Sequence, residues 1–446
     1  MRVSTQQIYS ANLDNLNSLN STLAKVQEQI SSGERFSQPS EDPLAASQVL
    51  KLDQEIARYE QYQDNIDVTQ RRLELEESTL EAINDATVRL QEIVTQAGNG
   101  SLGSEDLGLL ASEVGELINE IDGLVNTKDS SGEYLFSGYQ GLTRTYDYNE
   151  TSGEYEFQGD AGQRYIQVGP DFQVAATDSA LDIFEGASGA YQPILTDTTD
   201  PLNSSVVESS FFSAYVSNYT EFEEFDQESS DVQLSLTAAV APADAQVSLS
   251  YTDAEGTAQS YVYTLTEVEG APVLSADPTQ SNADAAAALI NDNGDGLLVG
   301  GLELLMADSA LSAADTSVAL SGEHESDNVL NYALDIYNAL ENADTDSYEG
   351  KLELQQSLAS ALSALDSIQA QNISARASIG ARVNAIEDQE SINDDYILYT
   401  ETARSALADT DLTEAASELA LLQTQLEASY ASFNIITGLS LFNYIN

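Results

Sequence analysis

Apolar residues near the N-terminus recur at alternating spacings of three and four positions. The stripe consists of Leu16, Leu19, Leu23, Val26 and Ile30. This is the heptad pattern of a helix that buries one narrow apolar stripe against another helix. The pattern stops at Ser31, Ser32 and Gly33. The sequence therefore predicts an N-terminal coiled-coil helix that ends close to Gly33.

The C-terminal end of the chain carries the same pattern. Its stripe consists of Leu412, Ala415, Leu419, Leu422 and Leu426, and Phe433 and Ile436 resume it one heptad later. Two such seams at opposite ends of one chain favour antiparallel pairing of the terminal helices. A thin seam is only marginally stable, so we expect the ends to remain unpacked in a monomer and to pack in an assembly.

Proline positions mark where long helices can form. Of eight prolines, Pro39 and Pro43 stand together and the other six lie in the middle of the chain. Because proline breaks helix interiors, residues 44–169 and 279–446 are free to hold long helices. Apolar spacing predicts a single helix over about 352–404, which at about 1.5 Å per residue reaches near 80 Å. The sequence therefore predicts a rod-like stalk.

The middle of the chain, roughly 146–321, changes to short alternating runs. Alternating apolar residues flank the turn segments 149–153 and 253–256, which is the signature of β-hairpins. The predicted fold class is mainly α with a β-rich insert, and it combines antiparallel terminal coiled-coil helices, a long helical stalk and an inserted β domain. The expected domains are a terminal coiled-coil core (1–45 plus 405–446), a helical stalk (46–145 plus 322–404) and the β-rich insert (146–321).

The charge of the chain limits its partners. It has 75 acidic and 15 basic residues, and its formal net charge is −60. Nucleic acids and anionic membranes both attract clustered Lys and Arg, so neither is an expected partner. The sequence opens without an apolar run of signal-peptide length, and no window reaches the roughly 18 apolar residues of a membrane span. If the chain is secreted, we expect an export route without a cleaved signal.

The composition also removes most catalytic chemistry. There is no cysteine, and His324, expected in an exposed loop, is the only histidine. Disulfides, thiolate metal sites and histidine-based triads are therefore excluded. The string 291–296 looks like the start of a calcium loop, but position twelve is Leu302 where a bidentate Glu is needed, so a turn beside a helix is the preferred interpretation. The prediction is a non-enzyme with no cofactor and no metal.

Several strings then point to a known family. They are MRVST (1–5), QISSGER (29–35), PSEDP (39–43), YLFSG (134–138), GD (159–160), RASIGARVN (376–384) and LSLFNYIN (439–446). In this order they resemble the hook-associated protein 3 family, the hook–filament junction proteins of the bacterial flagellum, within the flagellin-like superfamily. The resemblance covers about 1–186 and 322–446, and the remaining part, 187–321, matches no family that we can name.

The resemblance implies a structural subunit that joins hook to filament. It implies type III export and an extracellular location on the flagellum. Its partners would be itself in a ring of about eleven copies, the first hook-associated protein, flagellin and an export chaperone. The two apolar stripes would be the assembly seam, and Pro39, Asp42 and Pro43 would belong to a connecting spoke.

Other functions remain open at this point. A flagellin-type filament subunit is the alternative within the superfamily, although flagellins tend to open with an Ile-Asn-Thr-Asn string where this chain has Val3, Ser4 and Thr5. An adhesin would place binding in the β-rich insert. An enzyme would need a cleft that no motif indicates.

Overall fold

The computed structural model of the chain describes residues 5–198, 212–238, 244–268, 271–307, 310 and 315–444. The described helices are α1 (Thr5–Ser32), α2 (Pro43–Ala97), α3 (Ser104–Val125), α4 (Ala180–Ile183), α5 (Tyr219–Glu228), α6 (Ala283–Ala288), α7 (Val329–Glu341), α8 (Tyr348–Ala408) and α9 (Leu412–Tyr444). The first four and last two residues of the terminal strings lie outside the described residues.

The described strands fall in the middle of the chain. They are β1 (Tyr146–Asn149), β2 (Glu154–Phe157), β3 (Tyr165–Gln167), β4 (Gln173–Ala175), β5 (Ala187–Asp197), β6 (Phe212–Val216), β7 (Ser230–Thr237), β8 (Ala245–Thr252), β9 (Ala258–Val268), β10 (Ala271–Ala276), β11 (Gly296–Val299), β12 (Leu302–Met306) and β13 (Thr316–Asp327).

These elements form two compact units. The first comprises Met1–Gln70, Ile166–Val174 and Val383–Asn446, and the second comprises Arg71–Tyr165 and Ala175–Arg382. In the first unit, α2 and α8 bury Ile66 and Ile386 completely. The side-chain amide of Asn393, also fully buried, donates to the carbonyl oxygen of Val168 at 2.9 Å. A polar bond inside the apolar contact thus fixes the segment 166–174 on α8.

In the second unit, the amphipathic helices α3 and α7 pack together. The buried face of α3 carries Leu107, Leu110, Ala111, Val114, Ile118, Ile121 and Val125. This spacing of three and four keeps the apolar residues on one side of the helix. Asn328 is the N-cap of α7, and its side-chain oxygen accepts the backbone N–H groups of Leu330 and Asn331 at 3.0 Å. This N-cap satisfies donors that the first helical turn leaves free.

The β-rich part of the second unit is built around a six-stranded antiparallel sheet of order β10-β9-β8-β7-β13-β5 and a three-stranded sheet of order β11-β12-β6. Both hairpins predicted from the sequence are present: β1 pairs with β2, and β8 pairs with β9. Gly256, in the turn between β8 and β9, has a φ of +74°, which glycine adopts without strain. One cluster of buried apolar residues, here called the insert core, is formed largely by side chains of these sheets. It includes Phe212, Phe222, Leu234, Leu249, Tyr263, Leu265 and Leu304.

The fold class predicted from the sequence is confirmed: a mainly α chain holds a β-rich insert. The helix expected over about 352–404 is α8, which starts at Tyr348 and ends at Ala408. One detail was wrong. His324 is exposed as expected, but it lies in β13 and not in a loop, and its Nδ1 is 3.1 Å from the carbonyl oxygen of Gly189. The alternation around His324 is weak because serine, glycine and acidic residues surround it.

Candidate functional site: the terminal helix pair

The candidate site begins at the C-terminal end of α1. Gly33 follows the helix with a φ of +77°, and its N–H donates to the carbonyl oxygen of Gln29 at 2.9 Å. This is the left-handed C-terminal cap for which glycine is the preferred residue. No atom lies within 4 Å of the Cβ that a side chain would add at this position, so the conformation and not space requires glycine. The chain therefore leaves α1 sharply at Gly33.

Backbone hydrogen bonds then join this turn to the start of α9. The N–H of Arg35 donates to the carbonyl oxygen of Ala408 at 2.7 Å, and the N–H of Thr410 donates to that of Gly33 at 2.8 Å. Glu34 and Asp409 form an antiparallel bridge between these bonds. Because the C-terminal end of α1 meets the N-terminal start of α9, the two helices run antiparallel. We call α1, α9 and this bridge the terminal helix pair.

Asp411 starts α9. Its carboxylate accepts the N–H groups of Thr413 at 2.8 Å and Glu414 at 3.2 Å. These two backbone hydrogen bonds, led by the one from Glu414, lower the pKa of Asp411 below its usual value. An ionised aspartate at a helix N-terminus also faces the positive end of the helix dipole. Asp411 and Glu414 have the spacing of a capping box, a signal that could have located this helix start in the sequence.

The seam between the two helices has a small apolar centre. Val26, Ala415 and Leu422 are buried in one cluster, and Leu19, Leu23, Ile30 and Leu419 pack partly buried against it. The expectation that the seams stay unpacked in a monomer is wrong for the described residues, because the two seams of one chain bury each other. The bridge from Gly33 to Thr410 holds the seams side by side, which removes most of the entropic cost of bringing them together.

The other residues of the two apolar stripes differ in how deeply they are buried. Leu16 is buried, and Leu426 and Phe433 are half-buried. The structure does not place Leu412 in the seam: it is the first residue of α9, and 56% of its surface is exposed. The side chain of Ile436 lies outside the described ones, although its backbone belongs to α9. The apolar contact thus runs from the bridge to Leu16 and Leu426.

The expected spoke residues lie at the start of α2 and in the segment before it. Pro43 is the first residue of α2, where the missing N–H costs nothing. Asp42 precedes it, and the Asp42 carboxylate accepts the N–H of Ala45 at 3.0 Å. The same carboxylate forms an exposed ion pair with Arg35 at 3.3 Å. Pro39 is exposed. The C-terminal cap at Gly33 and the N-terminal cap at Asp42 therefore define a short connection between α1 and α2.

One surface feature of the first unit was not indicated by the sequence. A groove of about 490 Å³ runs beside the spoke, and its lining includes Phe36, Pro39, Pro43, Leu50 and Arg404. Its lining comes from separate helices, so local periodicity could not find it.

The string 291–296, which resembles the start of a calcium loop, forms a turn. The amide of Asn291 folds the 291–296 string on itself: its oxygen accepts the N–H groups of Gly294 and Asp295, and its nitrogen donates to Glu303 at 3.1 Å. This is the turn favoured by the sequence. Within the described part of the chain, no group of three or more His, Asp or Glu side chains is arranged to hold a metal ion.

Among the described residues of the second unit, one acidic side chain has no exposed surface. Glu76 is fully buried on α2. Burial, reinforced by the nearby carboxylate of Asp178, raises the pKa of Glu76 well above its usual value, although Arg382 opposes this shift. Asp178 itself is paired with Arg382, and Arg72 pairs with Asp129 at 2.7 Å. The raised pKa favours the protonated form of Glu76, which lies beside two ion pairs, so Glu76 makes the stability of this unit depend on pH.

Comparison with known proteins gives a consistent result. Residues 3–141 match the bacterial flagellin N-terminal helical region. Flagellar hook-associated protein 3 of Salmonella typhimurium is 32% identical over 190 residues, which cover 43% of this chain and 56% of the relative. The protein of the same name from Escherichia coli is 36% identical over 155 residues, or 35% of this chain and 48% of the relative. The chain thus spans about half the length of these two relatives.

A solved structure extends the similarity. Flagellar hook-associated protein 3 from Legionella pneumophila superposes with a TM-score of 0.52 at 25% identity, and it covers 80% of this chain and 98% of its own. The resemblance to hook-associated protein 3 indicated by the sequence strings is thereby confirmed. Across the described residues, no helix is both long and apolar enough to span a membrane.

Proposed function

We propose that this chain, whose residues 3–141 match the bacterial flagellin N-terminal helical region, is a structural subunit that joins the hook of a flagellum to its filament. The observation that carries the proposal is the terminal helix pair, in which both ends of the chain meet in a capped antiparallel seam. A subunit of this kind performs no turnover and needs no cofactor. It works by polymerising through its paired N- and C-terminal helices.

The proposal assigns one role to each part of the chain. Residues 1–45 with 405–446 form the polymerising core, residues 46–145 with 322–404 form a stalk, and residues 146–321 form an outer insert. The apolar stripes of α1 and α9 are the assembly seam, and Pro39, Asp42 and Pro43 form the spoke. The short, capped connection between α1 and α2 supports this assignment, since it fixes the direction in which the core leaves the stalk.

The partners follow from the same role. The chain contacts copies of itself in a closed ring of about eleven subunits, the first hook-associated protein on one side and flagellin on the other. It is secreted through the type III export channel, with an export chaperone, and it is located on the extracellular flagellum. The net charge of −60 argues against nucleic acid and anionic membrane as partners.

A flagellin-type filament subunit is the second candidate, because the matching family model describes flagellins. Immunogold labelling of intact flagella separates the two. A junction subunit gives a single narrow band at the hook end of the filament. Labelling along the whole filament would identify a filament subunit instead, and flagella without label would contradict both.

A further inference from the structure

In two places along the chain an asparagine is directly followed by a glycine. These pairs are Asn99 with Gly100, between α2 and α3, and Asn293 with Gly294, in the string 291–296. An asparagine in this context can lose its side-chain amide, because the backbone nitrogen of the next residue attacks the side-chain carbonyl carbon and glycine has no Cβ to obstruct the approach. The two pairs are equivalent in sequence, but they differ in structure.

The pair at Asn293 is held in a closed turn. The N–H of Gly294, whose nitrogen would have to attack, donates to the side-chain oxygen of Asn291 at 2.8 Å and to the backbone carbonyl oxygen of Asn291 at 3.1 Å. Asn291 is buried, and its side-chain oxygen also accepts the N–H of Gly296 at 3.1 Å. Attack by Gly294 would break hydrogen bonds to a buried group, which raises the free energy of the reacting state. The fold therefore protects Asn293.

The pair at Asn99 lacks this protection. Asn99 and Gly100 are both exposed, so water reaches them. Among the described residues, no atom accepts the N–H of Gly100. No described atom beyond the adjacent residues lies within 4 Å of the Cβ that a side chain would add at Gly100. The attacking nitrogen therefore gives up no hydrogen bond within the described part of the chain.

Ser101 prepares the side-chain carbonyl group of Asn99 for attack. The Ser101 hydroxyl group donates to Oδ1 of Asn99 at 3.0 Å, and the Ser101 backbone N–H donates to the same oxygen at 3.4 Å. Negative charge develops on Oδ1 when the nitrogen attacks, and donors already directed at this oxygen stabilise that charge. The nitrogen and the carbonyl carbon belong to adjacent residues, so their reaction needs no encounter between molecules.

We propose that Asn99 is a site of spontaneous modification, which converts to aspartate and isoaspartate in the folded chain while Asn293 stays intact. The nitrogen of Gly100 bonds to Cγ of Asn99, the Cγ–Nδ2 bond breaks, and ammonia leaves with the proton of the Gly100 N–H. Water then opens the resulting succinimide ring. Cleavage of the new N–Cγ bond gives aspartate, and cleavage of the original peptide bond gives isoaspartate.

Both products change the connection between α2 and α3. They place a carboxylate just after Ala97, the last residue of α2, where the negative end of the helix dipole disfavours negative charge. Isoaspartate also lengthens the backbone, because the chain then runs through Cβ and Cγ. The reaction needs only the folded chain and water, so it is independent of the proposed function.

Peptide mapping of the full chain tests this proposal. The folded protein is kept at pH 8 for several days and then digested in water labelled with heavy oxygen, which marks conversions completed during digestion. We expect unmarked aspartate and isoaspartate peptides from Asn99 and an unchanged peptide from Asn293. In a chain unfolded with urea, the two sites should convert at comparable rates, because the hydrogen bonds of Asn291 are lost. An intact Asn99 in the folded chain, or equal conversion of both sites there, would overturn the proposal.

Two variants identify the groups that react. Gly100 has open space around it and no left-handed φ, so Gly100→Ala should keep the fold. Its methyl group shields the attacking nitrogen and should slow conversion by about tenfold, or roughly 1.4 kcal/mol of barrier. Ser101→Ala removes the hydroxyl donor but keeps the backbone donor, so it should slow conversion by a smaller factor. Conversion of Gly100→Ala at the wild-type rate would refute attack by this nitrogen, and an unchanged rate in Ser101→Ala would refute the role of the hydroxyl group.

Discussion

The terminal helix pair and the β-rich insert bury apolar residues to very different extents. The described part of the insert core contains twenty-one buried residues, drawn from both sheets and from α5 and α6. The seam of the terminal helix pair centres on only three, Val26, Ala415 and Leu422. Every fully buried Val, Leu or Phe contributes about 1.5–3 kcal/mol. The insert therefore has a core of its own, whereas the terminal pair depends on a few contacts.

The difference in apolar burial indicates that the insert core mainly determines the stability of one subunit, whereas the terminal helix pair mainly determines assembly. A region with a large core folds on its own contacts, and changes in it are felt inside one subunit. A pair of long helices with a narrow seam leaves most of its surface free for other copies, as Leu421 and Ile435 show with 56% and 64% exposure. We therefore expect mutations in the insert to change melting and mutations in the seam to change assembly.

The largest expected effect is the loss of assembly in Leu422→Asp. A lone carboxylate in the seam costs several kcal/mol, because burial removes its water and provides no partner. The second unit does not contain this residue, so its fold should remain. The measurement is incorporation of the variant into flagella, together with circular dichroism of the purified chain.

Two control variants belong to this experiment. Leu422→Met keeps the volume and apolarity of the seam and should assemble normally. Gln423→Asp adds the same charge at the exposed neighbouring position and should also assemble. Normal incorporation of Leu422→Asp, or failure caused by unfolding of the whole chain, would contradict the assignment of the seam.

The second prediction concerns the insert core. Leu265 of β9 is buried, so Leu265→Ala should lower the free energy of unfolding by about 2–5 kcal/mol through the cavity that it leaves. Val268 ends the same strand and is 52% exposed, so Val268→Ala should change stability by about 0.5 kcal/mol at most. Denaturant unfolding measures both. Equal effects would mean that the insert is not held by this core.

The third prediction uses Glu76. Its pKa is raised in the folded chain, so the folded state holds a proton that the unfolded state releases. The associated stability is complete at pH values below the unfolded pKa and is lost as pH rises through the folded pKa. Glu76→Gln keeps a neutral side chain at every pH. The melting temperature of the variant should exceed that of the wild type more at pH 8 than at pH 5; a gap that does not change with pH would contradict a protonated Glu76.

The smallest effect is expected from salt. The chain carries 75 acidic residues against 15 basic ones, so self-repulsion opposes folding at low ionic strength. From about 10 mM to 500 mM salt the Debye length falls from roughly 30 Å to a few Å. The melting temperature should rise by a few degrees over this range, since about 1 kcal/mol corresponds to roughly 2–4 °C in a domain of 150–250 residues. A melting temperature that falls as salt is added would show that attraction between paired charges outweighs the self-repulsion.

The sequence predicted the parts of the fold that depend on local pattern. The seam stripes, the long helix α8 and the hairpins β1-β2 and β8-β9 all arise from periodicities of 3.5, 3.6 or 2 residues. It did not predict that β13 lies between β7 and β5, because strands far apart in the chain pair through contacts that no short window records.

The sequence likewise predicted only those parts of the candidate site that depend on local pattern. Val26 and Leu422 lie in the seam as the spacing indicated, but Leu412 does not, since periodicity alone does not say where a helix begins. The bridge between Glu34 and Asp409 and the stacking of Tyr59 on Tyr396 join residues more than 300 positions apart. Such pairs follow from tertiary packing, and only the capping residues around them leave a local signal.

The central claim, that the terminal helix pair and not the insert carries assembly, is tested most directly by removing residues 198–317, which carry most of the insert core. Asp197 of β5 lies opposite Val318 of β13, so an Asn-Gly turn can replace residues 198–317 and close these strands as a hairpin. Gold labelling of flagella should then show the shortened, epitope-tagged chain as a band at the hook end, with full-length filaments beyond it. Loss of that band, with Leu422→Asp still incorporated in the same strain, would contradict the account.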